Sequence, residues 1–302
     1  MSGRPISLPP GLSGRPFTVA EAAQVGIARS RLRAGDLERP FAGVRVSRGA
    51  IDGAAAAASA YAVKLAPGEF FSHATAGVLH GMWLPLELER DTAVDVSVRK
   101  PQRAPRDRAV RGHHLIDRPG LVTHLRGMAV ASTTETWCQL ATILHIPDLV
   151  AAGDSLLSPG RLDAIAQLDR LVWAAADEDR PMHVRLLRAA ALIRPGVRSA
   201  KETALRLLVV ADGLPEPEVN GEILDARGLH LAECDLVFWK QRVVLEYEGD
   251  YHRTDVGKFR SDISRYDRLQ DLGWRVIRVT EADLRRPKEL LARIRRALNR
   301  SV

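Results

Sequence analysis

The sequence predicts an α+β protein built from three consecutive parts. A short helix signal followed by two short strand signals occupies residues 14–50, and helix and strand signals are mixed over residues 51–198. From residue 199 onward, an amphipathic helix precedes three consecutive strands, a further helix, a strand and a last helix. We therefore expect a small N-terminal domain, a mixed α/β middle domain and a C-terminal α/β domain of residues 199–302.

The composition favours a partner with many negative charges. The 302 residues hold 44 Lys and Arg against 37 Asp and Glu, a formal net charge of +7, which makes nucleic acid the first partner to consider. Cys138 and Cys234 are far apart and lack the spacing of metal ligands or of a disulfide framework. The first residues lack the apolar core of a signal peptide, and no later apolar run is long enough to span a membrane. We expect a cytoplasmic protein with no membrane association.

The N-terminal segment has the pattern of a winged helix-turn-helix. Thr18 and Glu21 form a capping box that predicts a short helix, and a second short helix is predicted over residues 28–34. The stretch "LERPFAGVRV" then predicts two short strands with a turn near Gly43. The second helix would enter the major groove of double-stranded DNA through Arg29, Ser30, Arg31 and Arg33. Any small three-helix cap has a similar pattern, so a purely structural role is the alternative.

The middle region combines helices with strands and contains one basic loop. "DGAAAAASAYAVKLA" predicts a helix, while "VDVSVRK" and "VRGHHL" predict strands. "HLRGMAVA" predicts either another strand or a hairpin around Gly127. Ser132 and Glu135 predict a second capping box. Between the first two strands, residues 99–114 hold six Arg or Lys against one Asp, a loop that either contacts phosphate or is simply solvated. The stretch "RPGVRS" is the expected boundary with the C-terminal domain.

The C-terminal part contains a strand hairpin with acidic residues at fixed positions. "AECDLVFWKQRVVLEYE" predicts two antiparallel strands around a turn at residues 240–241. A two-residue turn and a four-residue turn both place Asp235 opposite Glu246 and Glu233 opposite Glu248. Alternation of side chains assigns these four acids to one face. The opposite, core face would hold Cys234, Leu236, Phe238, Val243, Leu245 and Tyr247.

Four carboxylates on one face repel one another, because like charges across a strand pair destabilise a sheet by up to about 1 kcal/mol each. A divalent cation would remove this repulsion, and Mg²⁺ or Mn²⁺ prefers carboxylate oxygens. The acidic face therefore predicts a metal site. The alternative is a solvated face balanced by nearby arginines such as Arg242 and Arg253.

This arrangement resembles the PD-(D/E)XK nuclease superfamily, in which a helix with a Glu precedes a hairpin that presents Asp and then Glu-x-Lys or an acid. The finer pattern "EYEGDYH", followed by "RSDISRYDRLQDLGWRVIRVT", is similar to very-short-patch-repair-like endonuclease domains of actinobacterial proteins. This resemblance covers about residues 199–300 and implies a restriction-endonuclease-like fold. A looser resemblance, carried by the winged helix, "FSHATAGVLHGMWLP" and "GMAVASTTETWCQLA", links the preceding residues to AbiEi-type antitoxins.

The nuclease resemblance implies a role for each acid. Mg²⁺ or Mn²⁺ would be bound by Asp235 and Glu246, with Glu248 as a further ligand or a water-positioning acid. Glu202 would be the carboxylate of the leading helix, and His252 would assist proton transfer. All five belong to the catalytic site that the resemblance implies.

The chain departs from the superfamily at Glu248, which stands where a lysine is usual, while the subfamily most often has Asp there. The departure removes the usual cation beside the attacking water. Lys240, Lys258 and Arg268 are candidates to replace it, and the sequence does not select one.

The rest of the chain after the acidic hairpin is helical and basic. "KFRSDISRYDRLQDLG" predicts a helix, "WRVIRVT" a strand, and "PKELLARIRRALNR" a last helix that Pro287 opens. Arginines that would line a phosphate track are Arg265, Arg268, Arg275 and Arg278.

The expected function is metal-dependent hydrolysis of DNA phosphodiester bonds by a protein that binds double-stranded DNA. The alternative is a non-catalytic, antitoxin-like transcriptional regulator that binds DNA through the winged helix. An RNA-binding or RNA-cleaving module is a third option. The sequence leaves open a homodimer and a cognate toxin or defence-system partner.

Overall fold

The computed structural model describes residues 7–161, 163–225, 227–249 and 265–299. Their strands form three sheets accompanied by helices, which confirms the α+β class. The chain divides into two compact units, Met1–Ala152 with Trp173–Leu186 and Gly153–Val172 with Leu187–Val302. The predicted boundary at residue 51 therefore lies inside the first unit, and the one at residue 199 lies inside the second.

The first unit begins with a small sheet. Its strands are β1 (Phe17–Thr18), β2 (Leu37–Glu38) and β3 (Val44–Ser47), in the order β1-β3-β2. Helix α1 (Val19–Gln24) starts with the predicted capping box of Thr18 and Glu21. Strands β2 and β3 form the predicted hairpin, with Gly43 in its turn at a φ of 77°. We call this turn, residues 39–43, the wing.

The predicted second helix of this segment is wrong. Residues 28–34 contain only a short 3₁₀ helix, Arg31–Arg33, and Arg29 and Ser30 lie in the turn before it. Ser30 makes no side-chain capping bond. A helix of seven residues, as predicted for residues 28–34, forms too few hydrogen bonds to offset the free-energy cost of helix nucleation. Leu32 is buried in the small core of the segment, so tertiary packing decides the conformation.

A larger sheet forms the centre of the first unit. Its strands are β4 (Phe70–Phe71), β5 (Val94–Arg99), β6 (Val110–Leu115), β7 (Val122–Leu125) and β8 (Met128–Ala131). The accompanying helices are α2 (Ala54–Ala62), α3 (His73–Leu79), α4 (Leu86–Arg90) and α5 (Thr133–Leu140). The strand order is β6-β5-β4-β8-β7, and β5 and β6 are parallel. The predicted strands β5 and β6 and the hairpin around Gly127 are confirmed.

The predicted capping box at Ser132 is wrong. Ser132 makes no side-chain capping bond at the start of α5. Glu135 instead accepts two hydrogen bonds from Arg180, at 3.0 and 2.6 Å. A bidentate bond between a guanidinium and a carboxylate is stronger than a capping bond to a neutral N–H, so the tertiary contact wins.

Three helices follow, namely α6 (Ile146–Ser155), α7 (Ala164–Ala175) and α8 (His183–Ala190). Within the described part of the chain, every helix is too short or too polar to span a bilayer.

The second unit is built on a mixed sheet. Its elements are α9 (Ala200–Ala211), β9 (Glu218–Leu224), β10 (His230–Phe238), β11 (Val243–Glu248), α10 (265–271), β12 (Arg275–Thr280), α11 (Glu281–Arg285) and α12 (Pro287–Leu298). The strand order is β12-β11-β10-β9, with β11 and β12 parallel and the other pairs antiparallel. These elements follow the predicted order, including Pro287 at the start of the last helix, except that α11 was not predicted. The first residues of the helix predicted from Lys258 lie outside the described residues.

Helices cover both faces of this sheet. Leu205 of α9 packs with Leu236 and Leu245 on one face, and Leu269 of α10 packs with Val244 on the other. The acid-bearing ends of β10 and β11 therefore lie between α9 and α10.

Residues before 199 are tied to this unit by a buried ion pair. The side chains of Arg206 and Asp154 are both 0% exposed, and Arg206 Nη2 donates to Asp154 Oδ2 at 3.0 Å. Asp154 also accepts a hydrogen bond from Thr203 at 2.8 Å. The end of α6 is thereby fixed to α9.

Candidate active site

The hairpin of β10 and β11 has the predicted register. The paired residues are Leu236 with Leu245, Val237 with Val244, and Phe238 with Val243. The same register brings Asp235 level with Glu246, and the backbone N–H of Tyr247 donates to Asp235 Oδ2 at 2.7 Å. The two acids predicted to bind metal are therefore neighbours across the hairpin.

The predicted assignment of side chains to faces is wrong at Cys234. This side chain packs in the cluster of Val244, whereas Leu236 packs in the cluster on the opposite face. The alternation is interrupted at Asp235, where the facing residue Asn220 has a positive φ of 50°.

Three of the four acids of the hairpin have an arginine partner. The pairs are Glu233 with Arg198, Glu246 with Arg265, and Glu248 with Arg278. Arg198 precedes α9 and Arg265 lies on α10, so the acids turn toward different helices and do not share one face as predicted. Arginines do balance these charges, but Arg242, one of the two predicted, is not among them. Arg242 donates to the Leu272 carbonyl, and Arg253 lies outside the described residues.

Asp235 differs from the other three acids, because its carboxylate has no ion-pair partner within the described chain. Its side chain is partly buried. Burial, and then the negative charges of Glu246 and Glu202, raise the pKa of Asp235 to about 7. The hydrogen bond from the Tyr247 N–H and the more distant charge of Arg265 offset only part of this rise.

Glu202 approaches from the first turn of α9 and is 7% exposed. Its carboxylate accepts hydrogen bonds from the Arg198 N–H at 2.9 Å, Ser199 Oγ at 2.9 Å and Asn220 Nδ2 at 3.3 Å. Ser199 in turn caps the helix by accepting from the Glu202 N–H. These neutral donors hold the carboxylate in place without removing its charge, and that charge reaches Asp235.

On the other side of the sheet, arginine side chains surround one aromatic ring. Arg265 Nη2 lies 3.2 Å from Glu246 Oε2 and 3.2 Å from the Tyr266 hydroxyl. The guanidinium groups of Arg265 and Arg278 lie 5.0 and 5.7 Å from the centroid of the Tyr266 ring. Stacking on an aromatic ring restricts a guanidinium, so positive charge is held at a fixed place beside the acids.

The donors of this site fit Mg²⁺ or Mn²⁺ held by few protein ligands. Asp235 and Glu246 are neighbours, and the raised pKa of Asp235 indicates that a cation there would lower the free energy of the ionised form. No group of three or more His, Cys, Asp or Glu within the described residues is arranged to hold a metal. Two carboxylates suffice for Mg²⁺, which takes its other ligands from water and substrate phosphate. Glu248, predicted as a further ligand, pairs with Arg278 in this arrangement.

The remaining candidates for the site lie elsewhere or outside the described residues. His252 and Lys258 fall outside them, so their predicted roles stay predictions. Lys240 lies in the hairpin turn, at the opposite end of β11 from Glu248, and Arg268 is exposed on α10. The cation beside Glu246 is Arg265, which was predicted only to line a phosphate track.

One of these arginine contacts had a signal in the sequence. Both strands were predicted, and parallel pairing of β11 with β12 places Arg278 level with Glu246, two residues before its partner Glu248. Arg198 and Arg265 have no comparable signal, because their contacts depend on how α9 and α10 cross the sheet.

The predicted DNA-binding residues of the first unit differ in exposure. Arg29 and Arg33 are exposed. Arg31 donates twice to Asp36, at 2.9 and 2.7 Å, and its side chain is only 9% exposed. Arg29 and Arg33 are therefore better placed than Arg31 to contact phosphate.

Comparison with known proteins finds a limited likeness. No known family's sequence profile matches the chain, and no solved structure matches it. Two uncharacterized proteins from two strains of Mycobacterium tuberculosis are each 34% identical to the chain over 104 residues. The alignment covers 34% of this chain and 38% of each relative, so the likeness concerns about a third of each protein.

Proposed function

We propose that the second unit hydrolyses phosphodiester bonds of double-stranded DNA with Mg²⁺ or Mn²⁺ bound at Asp235 and Glu246. The observation that carries the proposal is the partly buried Asp235, whose pKa is raised to about 7 by burial and by the charges of Glu246 and Glu202. Carboxylates perturbed in this way cluster at functional sites, where a bound cation or a reaction needs them.

Each residue of the site has a distinct role in this proposal. When bound, the metal ion would polarise the scissile phosphate and lower the pKa of a bound water. Asp235 and Glu246 supply oxygen ligands, and Glu202 keeps a fixed negative charge beside Asp235. Arg265 places its guanidinium next to Glu246. There it supplies the positive charge that a lysine usually provides at the position of Glu248. His252 remains the predicted residue for proton transfer.

Binding of the duplex is assigned to basic residues away from the acids. The net charge of +7 and the exposed Arg29 and Arg33 support contacts with phosphate. Such contacts release counterions, so the affinity for duplex DNA should fall steeply as salt rises.

Replacing Glu246 separates cutting from binding. Glu246→Ala and the more conservative Glu246→Gln should remove nicking of plasmid DNA while leaving duplex affinity within a few fold, because binding rests on arginines. Glu222→Ala is the matched control, since this glutamate lies on the same sheet with a side chain 68% exposed, and it should keep full activity. Thermal melting checks that each variant is folded. Nicking by folded Glu246→Gln at the wild-type rate would exclude the proposal.

A second candidate function is a non-catalytic, antitoxin-like regulator that binds DNA through the N-terminal segment. The ion pair of Glu248 with Arg278 favours this regulator. Glu248 stands where the catalytic lysine is usual, and its pairing with an arginine is what a purely structural role would produce. For such a regulator, replacing Arg29, Arg31 and Arg33 would abolish repression of a reporter gene, whereas Glu246→Gln would leave it intact.

A further inference from the structure

The loop between β5 and β6 carries positive charge that no acid of the described chain neutralises. Four basic side chains of the loop are exposed and have no acidic partner in the described part of the chain, namely Lys100, Arg103, Arg106 and Arg108. The cations that flank the loop are paired, Arg99 with Asp117 and Arg111 with Asp91 and Asp95. The uncompensated charge is thus confined to residues 100–108, which we call the basic loop.

The one acid of the basic loop is turned inward. The Asp107 side chain is 12% exposed, and it accepts hydrogen bonds from Lys64 at 3.1 Å and from the Ala42 N–H at 3.0 Å. Lys64 also donates to the Ala42 carbonyl at 3.0 Å. Ala42 belongs to the wing, so Asp107 and Lys64 fasten the basic loop to the wing.

Further contacts hold the basic loop against the first unit. Gln102 donates to the Pro67 carbonyl at 2.9 Å. A Cβ atom at Gly112 of β6 would lie 2.3 Å from the Pro105 carbonyl oxygen, so glycine allows this close approach. A surface that is already ordered loses less conformational entropy when it binds a partner.

We propose that the basic loop and the wing together bind the phosphate backbone of duplex DNA. Arg39, exposed in the wing, adds a further cation to the four of the loop. Clustered Arg and Lys without acids bind a phosphate backbone by releasing its counterions. The basic loop contains no Phe, Tyr or Trp on which an unpaired base would stack, which favours a duplex over a single strand. The choice of DNA as partner rests on the proposed function.

Two triple variants of the full chain test this surface. One is Arg103→Gln with Arg106→Gln and Arg108→Gln. The matched control is Arg15→Gln with Arg99→Gln and Arg295→Gln, which removes the same charge from arginines that are ion-paired. Fluorescence anisotropy with a labelled duplex in EDTA gives affinity over a series of salt concentrations.

The loop triple should lower the slope of log affinity against log salt by about 2–3, because each lost phosphate contact removes about 0.9. Its affinity at low salt should fall about tenfold or more, while the control changes the slope by less than about 1. All substituted side chains of the loop are exposed, so melting should match that of the wild type. If the triple does not fold, Arg106→Gln alone should lower the slope by about 1.

An unchanged slope in the loop triple, or an equal loss in both triples, overturns the inference. If the loop triple loses affinity for single-stranded DNA or for RNA but keeps its affinity for duplex DNA, the inference is also overturned, and the surface belongs to that other partner. Plasmid nicking in Mg²⁺ separates this inference from the proposed function. If the wild type nicks plasmid but the loop triple shows no change in the salt slope, only the proposed DNA-binding surface is refuted. If the loop triple changes the salt slope but the wild type never nicks plasmid, only the proposed hydrolysis is refuted.

Discussion

Replacing Asp154 by alanine tests whether the second unit includes residues well before 199. Asp154 is fully buried and accepts hydrogen bonds from Arg206 at 3.0 Å, Thr203 at 2.8 Å and the Arg194 N–H at 2.8 Å. Its removal leaves the buried guanidinium of Arg206 without its nearest negative charge. Breaking one side of a buried pair costs about 3–5 kcal/mol, so the free energy of unfolding of the second unit should fall by this amount.

Urea unfolding at neutral pH, followed by far-UV circular dichroism, measures this loss. The matched control is Asp212→Ala, which breaks the partly exposed pair with Arg295 and should cost less than about 1 kcal/mol. Limited proteolysis of the full chain should release a C-terminal fragment that still contains Asp154. A loss below about 1 kcal/mol for Asp154→Ala, together with a stable fragment that begins near residue 199, would refute the reasoning.

Charges at other sites lead to further expected results. Without metal, Asp235→Asn should raise the free energy of unfolding by about 2–3 kcal/mol more at about pH 8 than at about pH 5. The reason is that the raised pKa of Asp235 makes the folded wild type lose stability as pH rises toward 7 and the carboxylate ionises. Equal gains at both pH values in urea unfolding would contradict this prediction. Burial, and then the charge of His113, lower the pKa of His73 to about 4, so the wild type should lose up to about 3 kcal/mol as pH falls from about 6.5 to 4. His73→Asn, which tolerates the φ of 47°, should lose less in the same urea series, and parallel losses would contradict the assignment. Arg265→Ala should slow plasmid nicking by about tenfold or more, Arg265→Lys should retain most of the rate, and wild-type nicking by the alanine variant would exclude a role for this cation.

The register of the acidic hairpin was predictable because it depends on local rules. Turn length and the alternation of side chains along a strand place Leu236 opposite Leu245, and both are buried as expected. The neighbourhood of Asp235 and Glu246 follows from that register alone. The succession of helices and strands after residue 199, apart from the short α11, was predictable for the same reason, since capping, turn and period signals are all local.

Features that depend on tertiary contacts were not predictable. The alternation in β10 is interrupted between Cys234 and Leu236, and nothing in the local pattern marks this position. Two of the arginines that pair with the acids, Arg198 and Arg265, lie beside or on helices whose positions depend on packing against the sheet. In the first unit, only a short 3₁₀ helix forms where a helix was expected, and Glu135 pairs with Arg180 instead of capping α5.

The most direct test of the central claim is nicking of supercoiled plasmid by the purified full chain in Mg²⁺, in Mn²⁺ and in EDTA, with thermal melting of the same samples. We expect nicking in at least one metal and none in EDTA. The metal should also raise the melting temperature, more above the pKa of Asp235 at about 7 than below it, because a proton competes with the metal for that carboxylate. A chain that binds duplex DNA but nicks it in neither metal, with no metal-dependent change in melting, would contradict the account and favour the regulator.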